Sequence, residues 1–160
     1  MIIDGQEVYL FNPWQIKRWT EEEIQIQVIK LIEKYDPHGD TMYQMSLNIE
    51  VMANIKYLFG EMIARLTREY GKMKLDCDNK ENKAITIERR KWVKENPGEK
   101  VPAMSFFEAK ASESVEEERD RVQEKYGDLI RFKEASENYS DIMNAIKKKM
   151  EAVKFEEFNQ

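Results

Sequence analysis

The sequence predicts an all-α protein: a long antiparallel, coiled-coil-like helical hairpin, preceded by a short N-terminal helix and a small N-terminal β-hairpin. Charged residues make up 36% of the 160 residues, against only 6 Gly and 4 Pro, which is typical of long solvated helices. Apolar residues recur at steps of three and four along two long segments. Only residues 97–104 separate these segments, and a connection this short favours antiparallel packing.

The β-hairpin is predicted over residues 2–10. Asp4-Gly5 lies between Ile2-Ile3 and Val8-Tyr9-Leu10, and Asp-Gly between β-forming residues favours a type I′ turn. Such a hairpin is marginal on its own in water. Two roles for it remain open, namely packing on the core and pairing with a neighbouring subunit.

A short amphipathic helix follows over residues 20–35. Thr20 with Glu23 three residues later is the signature of a capping box, in which each side chain bonds the other residue's backbone. Residues 36–39, Asp-Pro-His-Gly, are expected to end the helix. Together with the β-hairpin, this helix defines a predicted N-terminal domain of residues 1–39.

The long helical hairpin is predicted over residues 40–160. Its first helix begins at Asp40 or Thr41 and ends at Asn96-Pro97-Gly98. Gly60, Gly71 and residues 76–83 are weak points at which this helix could kink or break, and its continuity through residues 76–83 is left open.

The last helix is expected to run unbroken towards the end of the chain. Ser105 with Glu108 predicts a second capping box at its start.

A second apolar stripe on the first half of the long helix indicates burial against more than one neighbour. Its members are Val51, Ile55, Leu58 and Met62. They are interpreted as a homo-oligomer interface. The competing interpretation is that the helix over residues 20–35 covers part of this surface within one chain.

Opposite charges are expected to face each other in the hairpin. Residues 72–94 contain eight bases and four acids, whereas residues 108–128 contain eight acids and four bases. Complementary charges along a seam favour one pairing and orientation more than they add stability. The pattern supports antiparallel packing, and it offers a role for the bases that does not involve nucleic acid.

The strongest candidate for a binding surface is the basic end of the long helix. Arg89, Arg90 and Lys91 could neutralise phosphates, and Trp92 offers a face on which an unpaired base could stack. Further cations could continue the track towards the N-terminus of the helix: Lys72, Lys74, Lys80 and Lys83. The alternative is that these charges pair with the acidic helix opposite.

Composition argues against several other classes. One Cys cannot form an internal disulfide, and one His with one Cys leaves too few ligands for a structural zinc site. Cys77 is interpreted as a buried thiol and His38 as a solvated turn residue. No catalytic constellation is present, so an enzyme and a cofactor are not expected. Without a long apolar run or a signal-peptide pattern, the expected location is the cytoplasm, the host cytosol if the protein comes from a phage.

The order of features has a parallel in a known family. A capped helix is followed by a long helix with a basic region, a Pro-containing loop and a final long helix. The most similar part runs from Phe107-Glu108-Ala109-Lys110-Ala111-Ser112 to Asp141-Ile142-Met143-Asn144-Ala145-Ile146-Lys147. Over about its last two thirds, the chain resembles the recombination mediator proteins of T4-type phages, the UvsY type.

The resemblance implies a ring-forming oligomer that binds single-stranded DNA. Such a protein helps to load a recombinase by displacing single-strand-binding protein. The family's basic DNA-contacting motif would fall on Lys72, Lys74, Lys80, Lys83 or Arg89–Lys91. The net charge of −5 leaves a second hypothesis open: a protein-interaction module, such as a phage assembly factor or an inhibitor of a host protein.

Overall fold

A computed structural model of the chain describes residues 2–3, 6–7 and 13–158. In chain order its elements are strands β1 (Ile2–Ile3) and β2 (Gln6–Glu7) and helices α1 (Pro13–Ile16), α2 (Glu21–Ile32), α3 (Met42–Glu95), α4 (Met104–Ser114) and α5 (Glu116–Phe158). Because helices account for most of the chain, the all-α fold class is confirmed.

The two strands form one short antiparallel ladder. Ile2 lies opposite Glu7, and Ile3 lies opposite Gln6. The predicted β-hairpin over residues 2–10 is not supported, because the ladder contains only these two pairs and residues 4–5 and 8–10 lie outside the described residues.

Helix α2 begins with the predicted capping box. The Glu23 amide donates to Thr20 Oγ1 at 3.1 Å, and the Thr20 amide donates to Glu23 Oε2 at 2.6 Å. The helix ends at Ile32, three residues before the predicted end. There the amides of Lys34 and Tyr35 bond carbonyls three residues back, which tightens the chain into turns.

Helix α3 is continuous over 54 residues, which corresponds to roughly 80 Å of helix. No break occurs at Gly60, at Gly71 or within residues 76–83. A glycine inside a helix costs only about 1 kcal/mol relative to alanine, which tertiary packing can offset. The helix ends where predicted, and Gly98, with a φ of 86°, adopts the left-handed conformation just beyond it.

The last helix is divided in two, contrary to expectation. Val115 separates α4 from α5 with a φ of −121° and a ψ of 17°. Just before it, Ser114 Oγ donates to the Ala111 carbonyl, a side-chain bond that competes with helix continuation. The predicted capping box at Ser105 and Glu108 is also wrong, because α4 already begins at Met104 after an N-cap without a side-chain bond.

The structure divides the chain into two compact units. The first unit comprises residues 1–64 and 131–160. It extends across residue 39, where the sequence predicts a domain boundary, and that boundary remains a prediction. In it, α2 packs on the first part of α3, and the Phe59 ring contacts Phe132 and Tyr139 edge-on at centroid distances of 5.4 and 5.3 Å. Its buried core consists of Ile16, Ile24, Val28, Leu31, Val51, Met52, Ile55, Leu58 and Met62.

The second unit comprises residues 65–130. Its core contains Cys77, Val115 and Val122, with Tyr70 and Met73 packed against them. The partners on α3 and α5 run in opposite directions along the chain, since Glu69 pairs with Lys125 whereas Lys80 pairs with Glu118. This order confirms the predicted antiparallel packing within the unit.

Candidate nucleic-acid interface

A row of exposed cations lies along one face of α3 in the second unit. Because an α-helix turns by about 100° per residue, positions separated by 4, 7 or 11 residues share a face. The cations at such separations are Arg68, Lys72, Lys83, Arg90 and Lys94, which we call the basic stripe. All five are exposed, and the row extends over roughly 39 Å of helix.

The basic stripe has little competition from carboxylates. None of its five cations forms an ion pair with another residue in the described part of the chain. One exposed carboxylate, Asp76, shares the face and lies between Lys72 and Lys83. The stripe is therefore open to an external anion along most of its length.

Lys80 differs from the stripe, although the sequence places it in the same track. Its Nζ lies 2.6 Å from Glu118 Oε1 on α5. The hydrogen bond and the opposite charge raise the pKa of Lys80 and lower the pKa of Glu118. Lys80 therefore belongs to the contact between α3 and α5, and we leave it out of the candidate interface.

The remaining ion pairs between these helices reverse the expected polarity. Glu81 on α3 pairs with Arg119, and Glu69 Oε2 lies 3.0 Å from Lys125 Nζ. In both, the acid is on α3 and the base on α5. Among these pairs, Lys80 is the only base of α3 that binds an acid of α5. The predicted pairing of the bases of α3 with the acids of α5 therefore does not occupy the basic stripe.

The other predicted site residues point away from the stripe. Lys74, Arg89 and Lys91 are exposed, but each is one or two residues from a stripe member and so lies on a different side of the helix. Trp92 is half-buried, and it follows Arg90 by two residues. The run Arg89-Arg90-Lys91-Trp92, adjacent in sequence, does not form one surface in space.

Two stripe members, Arg68 and Lys94, were missed in the sequence. Each lies four residues from a predicted cation, Arg68 before Lys72 and Lys94 after Arg90. Extending the same helical register by one step in each direction would have found both.

The four residues predicted as an oligomer interface do not form a free surface. Ile55 and Leu58 are 0% exposed in the single chain, and Val51 and Met62 are also buried. They pack in one cluster with residues of α2 such as Ile24. This assignment was wrong, and the competing interpretation, coverage by the preceding helix, is what the structure shows.

Other candidate groups offer no alternative site. Cys77 is buried as a free thiol, as interpreted from the sequence, and the exposed His38 donates its amide to Asp36 Oδ1 at 2.9 Å. Within the described residues, no group of three acidic, His or Cys side chains could hold a metal ion. Nor is any helix of that part of the chain long and apolar enough to cross a membrane.

No protein-family model, no curated protein and no solved structure matches the chain.

Proposed function

We propose that this protein is a non-enzymatic, single-stranded-DNA-binding accessory protein of recombination, and that the basic stripe contacts the DNA. The observation that carries the proposal is the set of five exposed cations on one face of α3 without ion-pair partners among the described residues. Cations in such a row neutralise phosphates and release counterions, which is the main source of sequence-independent affinity.

The spacing of the cations suits a flexible strand. Successive members of the stripe are separated by roughly 6, 16, 10 and 6 Å along the helix axis. A single strand can adjust its backbone to such uneven steps, whereas a duplex presents phosphates in fixed positions. Since the stripe holds no aromatic residue, we expect binding that depends on phosphates and shows little base preference.

The net charge of −5 is compatible with this function. At physiological ionic strength, charges more than about 8 Å apart are largely screened, so a phosphate at the stripe responds mainly to nearby cations.

The site is tested by charge reversal with a matched control. The variant Lys72→Glu, Lys83→Glu, Arg90→Glu changes the net charge as much as Lys147→Glu, Lys148→Glu, Lys154→Glu, which reverses three exposed lysines of α5. In fluorescence anisotropy with an oligonucleotide of about 30 bases at low salt, we expect the first variant to lose roughly tenfold or more in affinity. Equal losses in both variants would overturn the assignment of the stripe.

The role in recombination needs a separate test, because it rests on the resemblance to UvsY-type mediators. We expect the protein to speed filament assembly by a phage recombinase on DNA coated with single-strand-binding protein. DNA binding without any such effect would refute the mediator role and leave the DNA-binding site standing.

A protein-interaction module is the second candidate, favoured by the outer face of α2. Ile26, Ile29 and Ile32 are 43%, 56% and 46% exposed. Three large aliphatic side chains at helical spacing form an apolar surface of the kind that binds another protein. If the protein shows no affinity for DNA at low salt, a host partner whose capture Ile29→Lys abolishes would establish this function.

A further inference from the structure

A groove opens between the last turns of α3 and the start of α4, within the second unit. Its volume is about 410 Å³, inside the range of roughly 300–1,000 Å³ that pockets for small organic molecules have. The lining residues are Ile85, Thr86, Arg89, Arg90, Val93 and Met104. We call it the tip groove. Because Arg90 is also a member of the basic stripe, the tip groove opens directly beside the candidate DNA site.

The tip groove offers apolar surface and positive charge together. Val93 and Met104 are 49% and 48% exposed, so part of the apolar lining is open to solvent. Arg89 is exposed as well and forms no ion pair with another residue in the described part of the chain. An apolar surface beside guanidinium groups suits the flat face of a nucleobase, on which a guanidinium can also stack.

The groove lies on one particular side of the basic stripe. Val93 lies three residues after Arg90, and Ile87 lies three residues before it. At about 100° per residue, these two side chains flank Arg90 on opposite sides of the helix. Of the two, only Val93 lines the tip groove. A strand whose phosphate lies at Arg90 therefore reaches the groove when its neighbouring base turns to the side of Val93.

We propose that the tip groove binds one unpaired base of the strand whose phosphates contact the basic stripe. The base lies over Val93 and Met104, with the Arg89 guanidinium beside it. Every base has a flat face, so this contact adds affinity without a marked sequence preference. In a duplex the base faces are stacked inside, so the groove favours a single strand. This inference rests on the proposed DNA site and adds to it the contact with a base that the stripe itself does not make.

The first test removes the bases and keeps the phosphates. Fluorescence anisotropy at low salt compares an oligonucleotide of about 30 bases with a strand of the same length built from abasic nucleotides. We expect the wild type to bind the abasic strand roughly three- to tenfold more weakly, because the apolar contact between a base and the groove is lost. Equal affinity of the wild type for the two strands would overturn the proposal and leave phosphate binding by the stripe standing.

The second test removes the apolar lining of the groove. Val93→Ala with Met104→Ala should weaken binding of the normal strand by a similar factor and leave binding of the abasic strand unchanged. Ile87→Ala with Val101→Ala is the matched control, because both residues are exposed and neither lines the groove. Circular dichroism checks that each variant retains its helices. An equal loss in the control, or an equal loss on both strands, would refute the groove as the base site.

Salt dependence separates this proposal from the proposed function. The variant with Val93 and Met104 replaced keeps all five cations of the stripe, so the logarithm of its binding constant should fall with the logarithm of salt concentration at the wild-type slope. A lower slope would show that the replacements act on phosphate contacts, and it would refute the base contact. If the wild type binds neither strand at low salt, the stripe and the groove are both refuted.

If the wild type binds both strands equally and with a steep salt dependence, only the groove is refuted.

Discussion

Leu58 lies at the centre of the first unit's core, on the buried face of α3, and is 0% exposed. Truncating a fully buried leucine removes apolar contacts and leaves a cavity, which typically costs about 2–5 kcal/mol. We therefore expect Leu58→Ala to lower the free energy of unfolding in urea by that amount. Leu75→Ala, on the same helix but 61% exposed, is the control and should change it by no more than about 0.5 kcal/mol. Similar losses in the two variants would contradict the core described above.

Single residues also show where sequence reasoning works. Thr20 and Glu23 were found because both partners of a capping box lie within one helical turn. Asn48 was not, although it is 4% exposed and bonds both the amide and the carbonyl of Asp36, at 3.0 and 2.7 Å. Its partner is twelve residues away, and no local pattern marks such a bond.

The candidate site depends on the continuity of α3, because the stripe exists only if the helix is unbroken between Lys72 and Lys83. From the sequence, continuity through residues 76–83 stayed open, and the binding surface was centred on the adjacent cations Arg89, Arg90 and Lys91 with Trp92. On a continuous helix, neighbours diverge and residues four or seven apart converge. The sequence thus predicted three of the stripe's cations, Lys72, Lys83 and Arg90, and the antiparallel packing, but not which cations share a face.

Two lysines on α3 allow the effect of the stripe on DNA binding to be distinguished from the effect of net charge. Lys72 belongs to the stripe, whereas Lys74, two residues on, lies on another side of the helix, and both are exposed. We expect Lys72→Glu to weaken single-stranded DNA binding several-fold and Lys74→Glu to have a smaller effect, because only Lys72 lies on the stripe. The two changes alter the net charge equally, so a difference between them reports position. Anisotropy titrations at one low salt concentration would show this, and a stronger effect of Lys74→Glu would place the DNA elsewhere.

The contact between α3 and α5 is expected to depend on pH through Lys80 and Glu118. The Lys80 ammonium lowers the pKa of Glu118 below its usual 4.5, so the pair's contribution is present above that value and is lost as the pH falls through the lowered pKa. Glu118 raises the pKa of Lys80 above 10.5, so the contribution is also lost as the pH rises through that raised value.

The test compares unfolding free energies of Glu118→Gln and the wild type across the acid range. We expect a small difference near neutral pH, because both side chains are partly exposed, and its disappearance in strong acid. Glu124→Gln, which removes an exposed carboxylate of α5, is the control. A difference that persists unchanged into strong acid would show that the pair does not stabilise the fold through its charges.

At the scale of the whole molecule, an acidic protein carries five exposed cations on one face of α3, and its second apolar stripe is covered within the chain. The net charge of −5 gives no sign of a DNA-binding surface, which appears only when charges are sorted by helix face. Likewise, the apolar surplus in residues 51–62 suggested an oligomer, but α2 and side chains of α5 pack against it within one chain. Net charge and apolar content are averages over the whole chain, so they do not show how charged and apolar side chains are distributed over its surfaces.

The salt dependence of single-stranded DNA affinity tests the central claim most directly. If all five stripe cations neutralise phosphates, the logarithm of the binding constant should fall with the logarithm of salt concentration at a slope of about −3.5. Replacing Lys72, Lys83 and Arg90 should reduce the slope to about −1.4, since two cations remain. A wild-type slope near zero, or a slope that these replacements leave unchanged, would contradict DNA binding by the basic stripe.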